Sequence, residues 1–288
     1  MKLIANLYDR RVAPLVAVVF AILFVMEGRR QLRKRRQPRF KRILINTVVA
    51  LPAFTLFRLL FLPAMVWLAR QSRRTGFGLN HCYAAHPAVK RAVAFLILDY
   101  TNYLWHILNH KLPLLWRFHL VHHTDPDLDL STAIRFHFGE LIGSVIYRGA
   151  FVFLSGASPA DTLLYEGVFE AATQFHHSNW KLPYRFEKQL QYFIVTPRMH
   201  GIHHSIIRQE TDSNYAVVFS IWDRFHGTAR LNVAQQQIAT GVPAYSHPDE
   251  LTIGYLLKLP FGPIRPWQAP VAAHEAGASL PDKNQIAE

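Results

Sequence analysis

Apolar residues run with little interruption from Val12 to Met26, from Ile43 to Leu68 and from Ala92 to Leu108, and basic residues gather where these runs end. Runs of this length predict buried or membrane-spanning helices rather than strands. As a helix, Val12 to Met26 rises only about 22 Å, short of the roughly 30 Å hydrocarbon core of a bilayer. It spans only with help from snorkelling arginines or local thinning. Arg10 and Arg11 precede this run as in a signal peptide, but no small-residue cleavage site follows it. Glu27-Gly28-Arg29-Arg30 leads instead into Arg33-Lys34-Arg35-Arg36, so the segment reads as a retained anchor.

The stretch Arg29 to Arg42 holds nine Lys or Arg and no acid, the composition of a cytoplasmic loop. Pro52, Arg58 and Pro63 interrupt Ile43 to Leu68, which predicts either a kinked helix or a tight hairpin inside the membrane. If that segment crosses once, Ala92 to Leu108 brings the chain back to the cytoplasmic side. Leu141 to Leu154 and Asp161 to Phe175 flank the turn Ser155-Gly156-Ala157-Ser158-Pro159, the pattern of a helical hairpin entering and leaving the bilayer. Beyond Asn179 the chain is soluble in character, broken by Pro183 and Pro197. Val271 to Glu288, rich in Ala, Asp, Gln and Glu, reads as a disordered tail.

Composition agrees with a membrane protein: 50% of residues are hydrophobic, 18% are charged, and the mean hydropathy is +0.06. The net charge of +13 does not point to nucleic acid, because no nucleic-acid-reading motif accompanies it. The basic residues sit at the ends of apolar segments, where anionic headgroups and the positive-inside bias account for them. Cys82 is the only cysteine, which excludes a disulfide framework, a zinc ribbon and a cysteine-ligated iron–sulfur cluster.

Histidine is where chemistry enters. Eleven of the sixteen histidines fall between positions 106 and 204, and eight of them form three groups. These are His106 and His110, then His119, His122 and His123, then His200, His203 and His204, written HxxxH, HxxHH and HxxHH. Positions i, i+3 and i+4 share a helix face, so each group presents its imidazoles to one point. A lone histidine beside an apolar face is more often a core residue, but three spaced groups are a ligand pattern. Imidazole suits Fe, Zn, Cu and Ni alike. Eight histidines are too many for one ion, so two metals are implied. Metal beside membrane points to an enzyme acting on lipid.

The run Asp99-Tyr100-Thr101-Asn102-Tyr103-Leu104-Trp105-His106-Ile107-Leu108-Asn109-His110, followed by Trp116-Arg117-Phe118-His119-Leu120-Val121-His122-His123, resembles the opening boxes of the fatty acid hydroxylase superfamily, which includes sterol desaturases. Phe175-His176-His177-Ser178-Asn179, Thr196 to Ser205, Asp212-Ser213-Asn214-Tyr215 and Trp222 to Thr228 resemble its later motifs in the same order. The resemblance covers Ala92 to Thr228. It implies an all-α fold, with integral membrane hairpins capped by a cytoplasmic histidine-rich dimetal domain. It divides the chain into membrane anchor helices and basic loops over 1–91, a catalytic domain over 92–228, and an extension over 229–288.

The resemblance further implies a non-haem di-iron centre that uses O2 to hydroxylate or desaturate a lipid. Zinc is a possible substitute for the two irons in purified protein. The family's additional histidine before a Ser-Asn pair maps to His177, leaving His176 the weaker candidate. Nine ligands are therefore expected: His106, His110, His119, His122, His123, His177, His200, His203 and His204. Asp99, Glu140, Asp212, Asp223 and Asn179 are candidates to orient their imidazoles, against the plainer roles of helix caps and surface ion pairs. Tyr103, Trp105 and Trp116 are candidates for a substrate channel, or equally for interfacial aromatics. Two positions depart from the family pattern: Phe138 stands where proline is usual, and His226 where an apolar aromatic is usual.

No flavin or nicotinamide glycine fingerprint and no haem-attachment motif is present, so an external electron donor such as a ferredoxin or a cytochrome with its reductase is expected. The substrate classes left open are sterol, fatty acyl chain, sphingolipid, carotenoid and alkyl ether lipid. The expected location is a bacterial inner membrane with the metal site facing the cytoplasm. Competing readings are a zinc-dependent membrane hydrolase, although the His-Glu-x-x-His pattern is absent, a haem-binding electron carrier, and a non-catalytic metal-containing lipid-binding protein.

Overall fold

A computed structural model describes residues 8–247 and 249–267, and every statement of absence below refers to those residues. The tail expected over 271–288 lies outside them. The described chain is all-helical, with only isolated bridges and no extended strand. Helix α1 (Ala13–Arg29) follows a π turn at Tyr8–Val12. After the basic segment, α2 (Arg39–Leu56) continues through a π turn at Phe57–Phe61 into α3 (Leu62–Thr75). The expected choice between kink and hairpin resolves to one distorted helix. Proline lacks the N–H that a helix interior uses, and its ring crowds the preceding turn. A wider turn between Pro52 and Pro63 accommodates both effects, and Leu62 N–H donates back five residues to Phe57 O.

Helix α4 (Pro87–Lys111) starts at His86, whose ring nitrogen accepts from Ala88 N–H, and runs back toward the histidine groups. The short α5 (Pro113–His123) folds across its end. Helices α6 (Phe138–Ser155) and α7 (Pro159–His177) are joined by the expected turn, and of the two only α6 is long and apolar enough to cross a membrane. Gly156 ends α6 in the left-handed region, and Ser158 caps α7 by accepting from Asp161 N–H at 3.1 Å. At this far end of the bundle the α3–α4 connection presses on the hairpin turn. A Cβ on Gly78 would stand 2.7 Å from Gly156 N, so only glycine lets the two backbones approach this closely.

Three segments, Tyr8–Arg29, Arg39–His81 and Phe138–Ser155, are long and apolar enough to cross a membrane. The core between them is apolar, built around Phe61, Met65, Ala69, Leu98, Val152 and Leu163. A second cluster joins Val49, Leu120 and Val121 to Val242, Tyr245, Leu251, Leu256 and Leu259, so these later residues pack onto α2 and onto the ligand-bearing α5.

The basic segment departs from the expectation that headgroups account for it. Arg33 and Arg42 are buried, Arg35 and Arg39 are mostly covered, and all four point into the protein. Burying a guanidinium is costly unless charge or hydrogen bonds replace its water. Arg42 meets that demand by binding Asp129 at 2.6 Å and both oxygens of Asp125 at 2.8 and 2.9 Å. Asn46 donates to Asp125 and accepts from Arg135, and Arg135 in turn donates to Val121 O and Thr124. The loop leaving His122 and His123 is thereby locked to α2.

Burial alone would raise the Asp125 carboxyl, but the Arg42 and Arg135 guanidiniums hold it down at about 2. A depressed carboxyl contributes stability above its unfolded value of about 4, and that contribution disappears as pH falls through the folded value. Asp125→Asn leaves buried guanidinium charge uncompensated and is expected to cost about 3–5 kcal/mol. Thermal unfolding in detergent will show this as a lowered midpoint at neutral pH, with the gap to wild type narrowing as pH drops below 4 toward 2.

Candidate metal centre

The four segments that carry the histidines converge at one end of the bundle. Helix α4 brings His106 and His110 one turn apart, α5 brings His119, His122 and His123, and α7 ends on His177. After the short α8 (Tyr184–Leu190), Pro197 opens α9 (Pro197–His203), which delivers His200 and His203, with His204 just beyond it. All nine are buried. They sort into two groups, His106, His110, His119, His123 and His203 on one side and His122, His177, His200 and His204 on the other. Within each group one ring nitrogen per residue lies within 4.8 Å of the others. The helical spacing does not map simply onto the groups: HxxHH sends His119 and His123 to one and His122 to the other.

These donors fit metal ions. Nε2 of His123 is 3.2 Å from that of His119, His177 is 3.0 Å from His122 and 2.9 Å from His200, and His204 is 3.1 Å from His200. An ion bonded to nitrogens at about 2.1 Å and right angles would hold them about 3 Å apart. Both ring nitrogens of His110 and Nε2 of His203 are buried without any hydrogen-bond partner, a costly condition that coordination removes. Burial first, and neighbouring imidazoles second, push His122, His123 and His204 well below the usual histidine value. The rings are therefore neutral, the form that ligates metal.

Backbone carbonyls orient three of the nine rings. Nδ1–H of His106 donates to Tyr215 O at 2.7 Å, that of His177 to Thr173 O at 2.7 Å, and that of His203 to Ser213 O at 2.8 Å. A carbonyl only accepts, so each of these rings carries its proton on Nδ1 and presents a bare Nε2 to the site. Glu140 does the same for His119, with Oε1 at 3.1 Å from Nδ1.

The other proposed orienting residues are placed differently. Asp212 lies 4.0 Å from His110 Nδ1 and binds Lys111 and Arg208 more closely. Asp223 accepts from Tyr215 and Ala216 N–H, so it positions the carbonyl that His106 uses. Asp99 accepts from Trp222 Nε1 and Phe219 N–H and touches none of the nine rings. Asn179 exchanges hydrogen bonds with the Arg33 backbone at 2.8 Å in each direction. His176 is buried against His200 but falls in neither group, with Nδ1 on Val217 O.

Among the aromatics, Trp105 stacks on Tyr147, Tyr103 hydrogen-bonds Thr228, and Trp116 lies 5.1 Å from the His110 ring. The divergent Phe138 opens α6 and packs toward Phe261. The divergent His226 stacks on Tyr100 and Tyr103.

The sequence profile of the fatty acid hydroxylase family matches residues 91–228. Over that segment, just under half of the chain, the protein is similar to the fatty acid hydroxylase family. The matched segment contains all nine histidines. Among curated proteins, human alkylglycerol monooxygenase is 31% identical over 144 residues, 47% of this chain and 29% of its own. An ornithine lipid hydroxylase of Rhizobium tropici is 30% identical over 142 residues, 49% of this chain and 42% of its own. Human cholesterol 25-hydroxylase is 28% identical over 138 residues, 47% of this chain and 49% of its own. The alignments therefore span half or less of these relatives. No solved structure gives a significant match.

Two functional contributions carry no histidine signal. The orienting carbonyls have no side-chain signature at all. Arg33 lies outside the family segment and presses its guanidinium on Gly201, inside the third histidine group, where any Cβ would collide with it.

Purified protein is expected to carry two transition-metal ions per chain. Elemental analysis of His122→Ala and His203→Ala, one from each group, will show fewer ions in both. Retention of two ions by either variant contradicts the grouping. Removing the metal with a chelator lowers the thermal midpoint, since an ion that binds only the folded state stabilises it.

Proposed function

We propose that this protein is a membrane-bound di-iron oxygenase that hydroxylates a lipid, taking O2 as co-substrate and two electrons from an external donor. The observation that carries this reading is the pair of all-histidine groups, side by side and buried where the apolar helices end. The matched relatives are named for hydroxylation of an alkylglycerol, an ornithine lipid and cholesterol. Each of those names describes a polar head on a long apolar body, and a substrate of that kind is proposed here. Hydroxylation is favoured over desaturation because two of the names denote a hydroxylase and the third a monooxygenase.

Two bound irons would supply the oxidising power to take hydrogen from an unactivated C–H bond while O2 is reduced by four electrons, two from the lipid and two from the donor. The products balance as hydroxylated lipid and one water, with two protons consumed. The chain's own residues have four tasks. Nine imidazoles would hold the two irons without adding negative charge, so the loaded centre would stay cationic. Glu140 and the carbonyls of Thr173, Ser213 and Tyr215 fix ring orientation and proton position. Tyr215, Phe136 and Trp116 lay their rings directly against ligand imidazoles, apolar cover that excludes water from a strong oxidant. The spans Arg39–His81 and Phe138–Ser155 would hold the lipid at membrane depth. A cytoplasmic face and a bacterial inner membrane complete the proposal; the orientation is supported by the basic residues between α1 and α2 that stay exposed, Arg29, Arg30, Lys34, Arg36 and Lys41.

The test is O2 uptake by iron-loaded protein given a reductant, a donor and lipid extract, followed by mass spectrometry. The expected result is lipid heavier by one oxygen and no such product from His122→Ala or His203→Ala. Loss of two hydrogens instead would identify a desaturase. Hydrolysis products with zinc and no O2 uptake would overturn the reading in favour of a hydrolase.

A further inference from the structure

The extension beyond residue 228 reaches the histidine site at one place. Trp267 lies partly exposed, with Nε1 donating to Ile206 O at 3.1 Å. Its ring is 6.1 Å from that of Trp116, and the Arg208 guanidinium stands over both, 5.0 Å from Trp267 and 5.2 Å from Trp116. Trp116 in turn faces the ligand set, 5.1 Å from the His110 ring and 5.5 Å from His123. Arg208 also contacts the His110 carbonyl at 3.4 Å. Two indoles and one guanidinium therefore bridge from the surface to two histidines of the five-membered group. Arg117 holds the approach in place by donating to Pro260 O and Gly262 O.

We propose that Trp267, Arg208 and Trp116 form the port through which electrons enter, and that a small acidic one-electron carrier protein docks over Trp267. The proposal rests on the oxygenase reading, which requires electrons from outside. Electron tunnelling weakens steeply with distance, and a ladder of conjugated rings in near contact offers a shorter path than the apolar helices around the rest of the site. The surface also suits an acidic partner. Lys111 and Arg265 are about half exposed, Lys258 is exposed and Arg208 is more than one-third exposed; the acids paired among them are Asp212 and Glu250. In each event the carrier is oxidised by one electron and one ferric ion becomes ferrous. Two events prepare one turnover. The indoles serve as the medium, and no bond or proton changes hands at them.

The test is anaerobic stopped-flow mixing of iron-loaded, oxidised protein with reduced [2Fe–2S] ferredoxin as the probe, without lipid or O2. The readout is the rate at which ferredoxin absorbance returns to its oxidised form. Wild type should react rapidly and slow on the order of tenfold at high salt, as steered encounters do. Trp267→Leu should lose the fast phase while keeping two irons and full reduction by dithionite, a small reductant that needs no docking. Trp267→Leu oxidising ferredoxin as fast as wild type overturns the port. So does equal slowing with dithionite or loss of iron, either of which marks the stack as a structural brace; Trp267→Phe, which keeps a packed ring, covers the case in which the leucine variant does not fold. A wild type that neither ferredoxin nor dithionite reduces would count against the oxygenase reading itself.

Discussion

Nine imidazoles share one buried volume, and buried ring nitrogens without partners are unfavourable unless something binds them. Much of the molecule follows from that constraint. The rings approach to about 3 Å, and burial with mutual proximity suppresses the protonation of His122, His123 and His204 among them. For His106, His119, His177 and His203, what decides which nitrogen faces inward is an acceptor placed behind each ring. Three of these are main-chain carbonyls on different segments, so the backbone path between Thr173 and Tyr215 is itself part of the site. Asp223 acts one step further out, fixing the peptide whose carbonyl holds His106.

The N-terminal helices and the C-terminal extension serve the same centre from outside the family segment. Arg42 and Asp125 tie the second histidine group to α2, Arg33 packs on the third, and residues 242–259 cover the apolar side of α5. Each brace is a buried charge with specific partners or a packed apolar surface. The first kind is easily broken by losing one partner and the second loses stability in proportion to area. Neither the anchor nor the extension is an independent unit laid beside the catalytic helices.

Much of this was legible in the sequence for physical reasons. Apolar runs report helices that leave water, and i, i+3, i+4 histidine spacing reports a shared helix face. The division of His119, His122 and His123 between two groups was not legible, because it depends on how α5 crosses α4 and α9. The inward turn of Arg33 and Arg42 was hidden as well: nine basic residues and no acid between Arg29 and Arg42 look like a solvated loop until Asp125 and Asp129 are seen to meet Arg42. Asp99 and Asn179 are informative in the opposite way. Both stand beside motif histidines in sequence, yet their side chains hold the 219–222 segment and the Arg33 backbone. Proximity in sequence does not determine which way a carboxylate or amide faces.

Glu27 gives the architecture an order in time. One oxygen of its carboxylate accepts both Leu130 N–H and Asn179 N–H, joining the end of α1 to the loop after the second histidine group and to the residue just past His177. A ribosome releases these three positions in that sequence, and all of them precede His200. The clasp therefore has its parts before the last three ligands exist. Both groups stay incomplete until the final third of the chain emerges, so a full complement of metal is a late event in the life of each molecule.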